Sequence, residues 1–537
     1  MASRYVRKVR TASGAVAVQV VTKAHGEFTD IQHVGSAHTD AELALLLHAA
    51  RELLHPGQGE LDLGPVEEAA VSVDDVADWT RPDGEAGLFP AQEPGGGPGR
   101  PAAVAAGGRV VGTVSLLLWK VLDAAYARLG FDAVGDGTFK ALVLGRVIEP
   151  TSKADTLRVL ADVGVPAPSL RTVFRSLARC LEADYRGTLA TACLAHSATT
   201  PAGRVSLVLY DCTTLYFETE VEDELRRVGM SKERRVDPQI QLGLLVDAAG
   251  FPLEVVCFEG NKAETRTLLP TLQAFQDRHG VADLVVVADA GMLSAANLNA
   301  VEDAGFTFIV GSRISKAPYD LAAHFTRHGD YFTDGQILES ERVMGTGSSA
   351  RTRRVVYQYS FRRHKRDHKA INAMIERAEK VAAGTRPLKK DRFVKLDGAT
   401  RSVDWALVER ARRLAGLKGY VTNIDPATMV GAAVIGAYHD LWKVEKSFRM
   451  AKTDLRARPI FHHQRDSIEA HLTIVFAALA ISRHLQDQTG VSIKRLVNTL
   501  RTVRSATIQV NGQRLTLDPE LPPAARELLA ALGHVGH

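Results

Sequence analysis

Between residues 204 and 314 the apolar side chains fall into one order of short runs and periodic stretches, and that order limits the folds open to the chain. Residues 205–209, 239–246 and 251–258 read as strands, with Asp247-Ala248-Ala249-Gly250 as the hairpin turn between the last two. A helix over 269–279 follows, with Pro270 tolerated in its first turn. Then come a strand at 284–288, a helix at 294–304 and a strand at 306–310. Strands joined by tight turns run antiparallel, whereas helical crossovers make later strands parallel. The expectation is an α/β fold built on a mixed sheet with helices on both faces.

Two aspartates stand where these strands end. Val205, Leu207, Leu209 and Asp211 share one strand face, so Asp211 ends an apolar row. Asp289 closes the run Val285-Val286-Val287-Ala288. Ligand sites in α/β sheets gather at the carboxyl ends of strands. Either aspartate alone reads more readily as a turn or helix-capping residue. A third acid, Glu445, lies in a helical stretch from Tyr438 to Lys452. A seven-residue step returns within about 20° of the same direction on a helix, so Tyr438, Glu445 and Lys452 form one stripe, with Arg449 on its flank. An ion pair from Glu445 to Arg449 on a solvated face is the plain alternative. Three carboxylates are the oxygen donors that Mg²⁺ or Mn²⁺ prefers. Two such ions activate an attacking oxygen and stabilise a leaving one in phosphoryl transfer.

The rest of the chain divides by composition. Residues 1–90 read as a small α+β region, with a strand pattern at Val16, Val18 and Val20 and a helix over 39–54. Residues 55–108 hold ten acids against two arginines, and the Gly/Pro density of 91–111 marks a linker. A helical region, 112–203, follows, in which DNA binding and ordinary helix packing are equally open; Pro150-Thr151-Ser152-Lys153 forms a cap and turn between two of its helices. Residues 204–314 and 417–490 make the core, 315–416 interrupt it, and 491–537 are a C-terminal tail. Within the interruption, 351–395 carry fifteen Lys or Arg against four Asp or Glu, a net +11, although the whole chain is only +4. Such a run neutralises phosphates or is simply solvated. The apolar run 472–481 is too short to span a membrane and reads as a buried helix. Four cysteines without a Cys-x-x-Cys pair, and no apolar leader behind the basic N-terminus, point to a reducing cytoplasm and no structural zinc.

The layout of 204–314 is that of an RNase H-like core, and four segments extend the likeness. They are Tyr210-Asp211-Cys212-Thr213-Thr214-Leu215-Tyr216-Phe217-Glu218; Met230 to Gln239 with Leu242-Gly243-Leu244; Ala288-Asp289-Ala290-Gly291-Met292; and the Tyr438-to-Lys452 helix with Arg458-Pro459-Ile460-Phe461-His462 after it. In this order the chain resembles bacterial insertion-sequence transposases of the DDE class, in the IS-four branch with a β-rich insertion ahead of the glutamate. The resemblance implies that Asp211, Asp289 and Glu445 are catalytic and bind two Mg²⁺ or Mn²⁺ ions. It also implies DNA contacts from Tyr438, Lys452 and Arg449, with Lys443 and Trp442 on the same helix. The branch usually has an arginine three residues after the tyrosine, where this chain has Leu441. The implied partners are double-stranded DNA, both terminal inverted repeats and target, and a second copy of the chain in the synaptic complex. The implied place is the bacterial cytoplasm, at the nucleoid. A retired DNA-binding derivative and a simple metal-dependent nuclease are the alternatives.

Overall fold

All nine residues of the strand Gln239–Asp247 are buried. Its sheet must therefore be covered on both sides. The structure is a computed structural model that describes residues 3–10, 16–24, 27–37, 109–200, 205–219, 221–230, 237–289, 294–312, 321–329, 331–387, 391–397, 400–510 and 513–533. The chain forms two units, Met1–Ala102 and Ala103–His537.

In the first unit β1 (Ser3–Arg10), β2 (Val16–Ala24) and β3 (Glu27–Ala37) form an antiparallel sheet in chain order. Val18 and Val20 are buried, as the alternation predicts. Val21 is buried too, and a register shift interrupts the β2–β3 pairing between Val18 and Gln19. The helix expected at 39–54 and most of the expected linker lie outside the described residues.

The second unit opens with β4 (Arg109–Val114) and five helices: α1 (Leu116–Arg128), α2 (Gly137–Ile148), α3 (Lys153–Asp162), α4 (Leu170–Glu182) and α5 (Tyr185–Ala198). Ser152 caps α3 by accepting from the Asp155 N–H, the cap expected there. Next come β5 (Leu207–Tyr216), β6 (Gln239–Asp247), β7 (Pro252–Glu259), α6 (Leu268–His279), β8 (Val285–Ala288), α7 (Ala295–Asp303) and β9 (Thr307–Ser312). This is the expected order of elements. After α8 (Ala322–His328), strands β10 (Ile337–Met344) and β11 (Arg351–Tyr359) join the same sheet, as does β14 (Leu417–Thr422). The eight strands run β10-β11-β14-β9-β8-β5-β6-β7, with β5, β8 and β9 mutually parallel and every other pairing antiparallel.

Two expectations need correction. The segment 315–416 is not simply β-rich, because the middle of its charge-dense stretch, with seven of the fifteen Lys or Arg, is the 22-residue helix α9 (Phe361–Ala382). Ile371, Ile375 and Ala378 recur at helical spacing and bury against Phe393, Val408, Ala411 and Ala415 in a small core of their own. A short hairpin, β12 (Val394–Asp397) and β13 (Thr400–Val403), and α10 (Trp405–Arg413) complete it. Secondly, the single helix expected from Tyr438 to Lys452 is two, α11 (Gly431–His439) and α12 (Trp442–Thr453). Between them Leu441, Lys443 and Val444 donate to carbonyls three residues back, a tightened turn that shifts the direction of everything beyond it.

Helix α13 (Arg465–Thr489) is buried from Ile468 to Leu485 apart from the half-exposed flank of Glu469, and it packs on α2, α4 and β7. It is long and apolar enough to cross a membrane, yet its apolar window is 94% buried inside the protein. The tail is folded: α14 (Ile493–Arg501), β15 (Ser505–Val510), β16 (Gln513–Leu517) and α15 (Pro523–Ala531). Strand β15 pairs with β4, and the four cysteines, three of them buried, are all free thiols.

Candidate active site

Strands β5 and β8 pair in parallel with Leu209 opposite Val287. Carried two residues further, that register sets Asp211 level with Asp289 on neighbouring strands, with their side chains on one face. Asp211 does not end its strand as expected. Pairing with β6 keeps β5 extended to Tyr216, so Asp211 lies mid-strand, opposite Leu244, at the point where β8 stops. It is half-buried, and its Oδ1 accepts the Cys212 N–H at 2.8 Å.

Asp289 is exposed and follows the last residue of β8. Its Oδ1 accepts a 2.7 Å hydrogen bond from the Tyr438 hydroxyl on α11. That reach depends on Gly311 in β9, where a Cβ would stand 2.5 Å from the Tyr438 oxygen. The Tyr438 ring meets Tyr420 edge-on at 4.9 Å, and the Lys418 ammonium lies 5.1 Å from its centroid. Burial and the nearby guanidinium of Arg363 pull the Lys418 ammonium below its usual pKa. Asp289 opposes that shift, and Arg366 adds to it. The basic end of α9 therefore faces the aspartate end of the sheet through Lys418.

Glu445 is exposed on α12. That helix packs on β5 and β6 through a face that buries Val444, Ser447, Phe448 and Ala451. Its neighbour Lys443 turns away: Nζ donates to the Ala248 carbonyl at 2.6 Å and pairs with Asp440 at 3.0 Å. Ser447 donates to the Gly250 carbonyl at 3.3 Å. Gly250 has φ +88°, and a Cβ there would lie 2.8 Å from that of Lys443, so the β6–β7 turn and α12 fit only with glycine. Trp442 is 54% exposed with the Lys446 ammonium 5.9 Å from its ring; Arg449 is exposed and Lys452 half-buried.

The structure thus brings Asp211, Asp289 and Tyr438 to one end of the sheet and commits Lys443 to structural bonds. The helix break also takes Tyr438 off the continuous stripe with Glu445 and Lys452. Two carboxylates at matching register suit a hard divalent cation. Among the described residues, however, no group of three or more His, Cys, Asp or Glu is arranged to hold a metal. Sequence reasoning missed Gly311, Lys418 and Tyr420. The one signal available was a glycine inside the strand run Phe308-Ile309-Val310, which marks a close approach.

Residues 206–481 match the model of the transposase DDE domain, just over half of the chain and all of Asp211, Asp289 and Glu445. The chain belongs to the DDE transposase family. The span of the match holds the whole eight-stranded sheet and most of α13. Among solved structures, the chain is similar to a cryo-electron microscopy structure of a piggyBac transposase synaptic complex with hairpin DNA. That likeness has 11% identity and a TM-score of 0.36 over 72% of this chain and 79% of that one, too distant to carry an argument. No curated protein matches.

Proposed function

We propose that this transposase cleaves DNA at the terminal inverted repeats of an insertion element and joins the freed 3′ ends to target DNA. The observation that carries the reading is the parallel pairing of β5 with β8, which ends two residues short of Asp211 and Asp289 on each chain segment, inside the span of the family match. In this reading the sheet is an RNase H-like core, since β7-β6-β5-β8-β9 has three antiparallel strands followed by two parallel ones. The segment between β9 and β14 is the branch's insertion, and the element is of the bacterial IS-four type, acting at the nucleoid in the cytoplasm.

Asp211 and Asp289, with Glu445 as third donor, would hold two Mg²⁺ or Mn²⁺ ions. When bound, such ions supply Lewis-acid activation of the attacking oxygen and charge stabilisation of the leaving one. The chain's own residues set the ground. The Tyr438 hydroxyl fixes the orientation of the Asp289 carboxylate. Lys418, Arg363 and Arg366 make the neighbouring surface positive, where phosphate oxygens of the duplex are stabilised. Arg449, Lys452 and Trp442 add DNA contacts along α12. Two element ends are handled together, so a homodimer is the working form.

The decisive experiment is a cleavage and joining assay on terminal-repeat DNA with Mg²⁺ or Mn²⁺. Glu445→Gln and Asp211→Asn should each lose joining by about 100-fold or more while still shifting the DNA in a gel. Joining that survives Glu445→Gln overturns the assignment of the third acid; binding with no cleavage by the wild type overturns the reading as an enzyme.

A further inference from the structure

Away from the sheet ends, α2, α3, the α12–α13 connection and α13 bring four basic side chains together. Arg146 of α2 is only 9% exposed, and its Nη2 donates to Nδ1 of His471 at 3.0 Å. Lys153, the first residue of α3, places Nζ 2.6 Å from Nε2 of His462 and 3.4 Å from the same His471 nitrogen. Nε2 of His471 lies 3.2 Å from the Ala457 carbonyl, which fixes the tautomer: Nε2 donates and Nδ1 accepts. Both imidazoles are thus neutral acceptors set between two cations. Burial together with Lys153 and Arg146 holds His462 down at about 4 and His471 well below its usual value.

Among the described residues, neither Arg146 nor Lys153 has a carboxylate partner. Three acids close by in sequence are committed elsewhere: Glu149 to Arg158 and Arg501, Asp155 to Thr151 and Arg158, Glu469 to Arg186. Burial, aided by Arg146, pulls the Lys153 ammonium down to about 7. Arg146 uses one of five guanidinium N–H groups on His471, and the positive end of α3 adds to the field. A buried guanidinium beside a half-buried ammonium, with no counter-charge among the described residues, is costly, and the cost is relieved by an anion that accepts several N–H bonds.

We propose that Arg146, Lys153, His462 and His471 form a binding site for a phosphate-class oxyanion, either a DNA backbone phosphate or free inorganic phosphate. The site needs no catalytic role for Asp211, Asp289 or Glu445, and its first test does not depend on DNA.

The test is thermal unfolding of the full chain near neutral pH, in inorganic phosphate against sodium chloride of equal ionic strength, without divalent metal. Wild type should gain about 2 °C in phosphate, as expected for ligand at several times its dissociation constant. Lys153→Met should show no such gain and should melt higher than wild type in chloride, because it removes an uncompensated charge. Lys153→Arg should keep the phosphate response. An equal response in Lys153→Met, or none in wild type, overturns the site. A second arm measures duplex DNA affinity against salt. A slope reduced by about one in Lys153→Met identifies the anion as backbone phosphate; an unchanged slope with the phosphate response lost identifies free phosphate.

Discussion

Tyr438 acts on the aspartate end of the sheet through one hydroxyl, and the hydroxyl arrives there only because position 311 has no side chain. Tyr438→Phe should lower the rate of DNA cleavage by about fivefold to tenfold, close to the ~1 kcal/mol of one hydrogen bond at an exposed carboxylate, with little change in melting temperature. Gly311→Ala should lower both rate and stability, because its Cβ displaces the ring. In a Tyr438→Ala background the same substitution should be nearly neutral, and a double-mutant cycle on stability checks that coupling. Asp211 and Asp289 stood out in the sequence because the first interrupts an apolar strand with a charge and the second closes one. The support around Asp289 was not. Tyr438 and Gly311 lie 127 residues apart in sequence and meet only after β8, β9 and α11 are assembled. No local pattern marks Lys418 as their neighbour.

At the scale of elements, Asp136 joins three helices. Its carboxylate is 6% exposed and caps α2 through the Thr138 and Phe139 N–H groups, while accepting from Ser176 and Arg179 of α4 and Tyr185 of α5. Burial alone raises its pKa, but these hydrogen bonds outweigh it and hold the carboxyl below its ordinary value. A depressed carboxyl stabilises the fold above its unfolded pKa near ~4, and that stability drains away as pH falls through the lower native value. Asp136→Asn should therefore be less stable at neutral pH by about 1–2 kcal/mol and should lose less stability than wild type between pH ~5 and pH ~2, followed by circular dichroism. Strand order from β5 to β9 was legible because alternation, glycine turns and helical spacing agreed with one another. The α11–α12 break was not, since Asp440 and Leu441 are ordinary helix residues. There Tyr438 is drawn towards Asp289 and Lys443 towards the β6–β7 turn, which one straight helix does not serve. Helix α9 was hidden by its own charge, because a basic run offers few apolar positions to count.

Across the whole molecule, charge is local where the total is nearly neutral. If α9 meets DNA, Arg363→Gln with Arg366→Gln should reduce the slope of log affinity against log salt by about two, read from filter binding at several salt concentrations. Packing, by contrast, is shared. One continuous core runs from Leu118 of α1 through the sheet to α13 and α15, so the helices ahead of β5 do not own a separate interior. The edge of this arrangement is tied by β4 pairing with β15, by the Ser115 hydroxyl on the Arg501 carbonyl, and by Arg504 on the Thr113 carbonyl. Deleting 505–517 should lower the melting temperature by several degrees, about 2–4 kcal/mol of lost pairing and side-chain contact, measured by calorimetry.

That tie also orders events at the ribosome. Strand β4 emerges nearly four hundred residues before the partner it zips to, and α13, which fills the space beneath α2 and α4, is also among the late arrivals. The inner faces of α2 and α4 stay uncovered until α13 has been made. A chain cut short ahead of Arg465 lacks the helix that covers those faces, and is expected to be an early substrate for proteases.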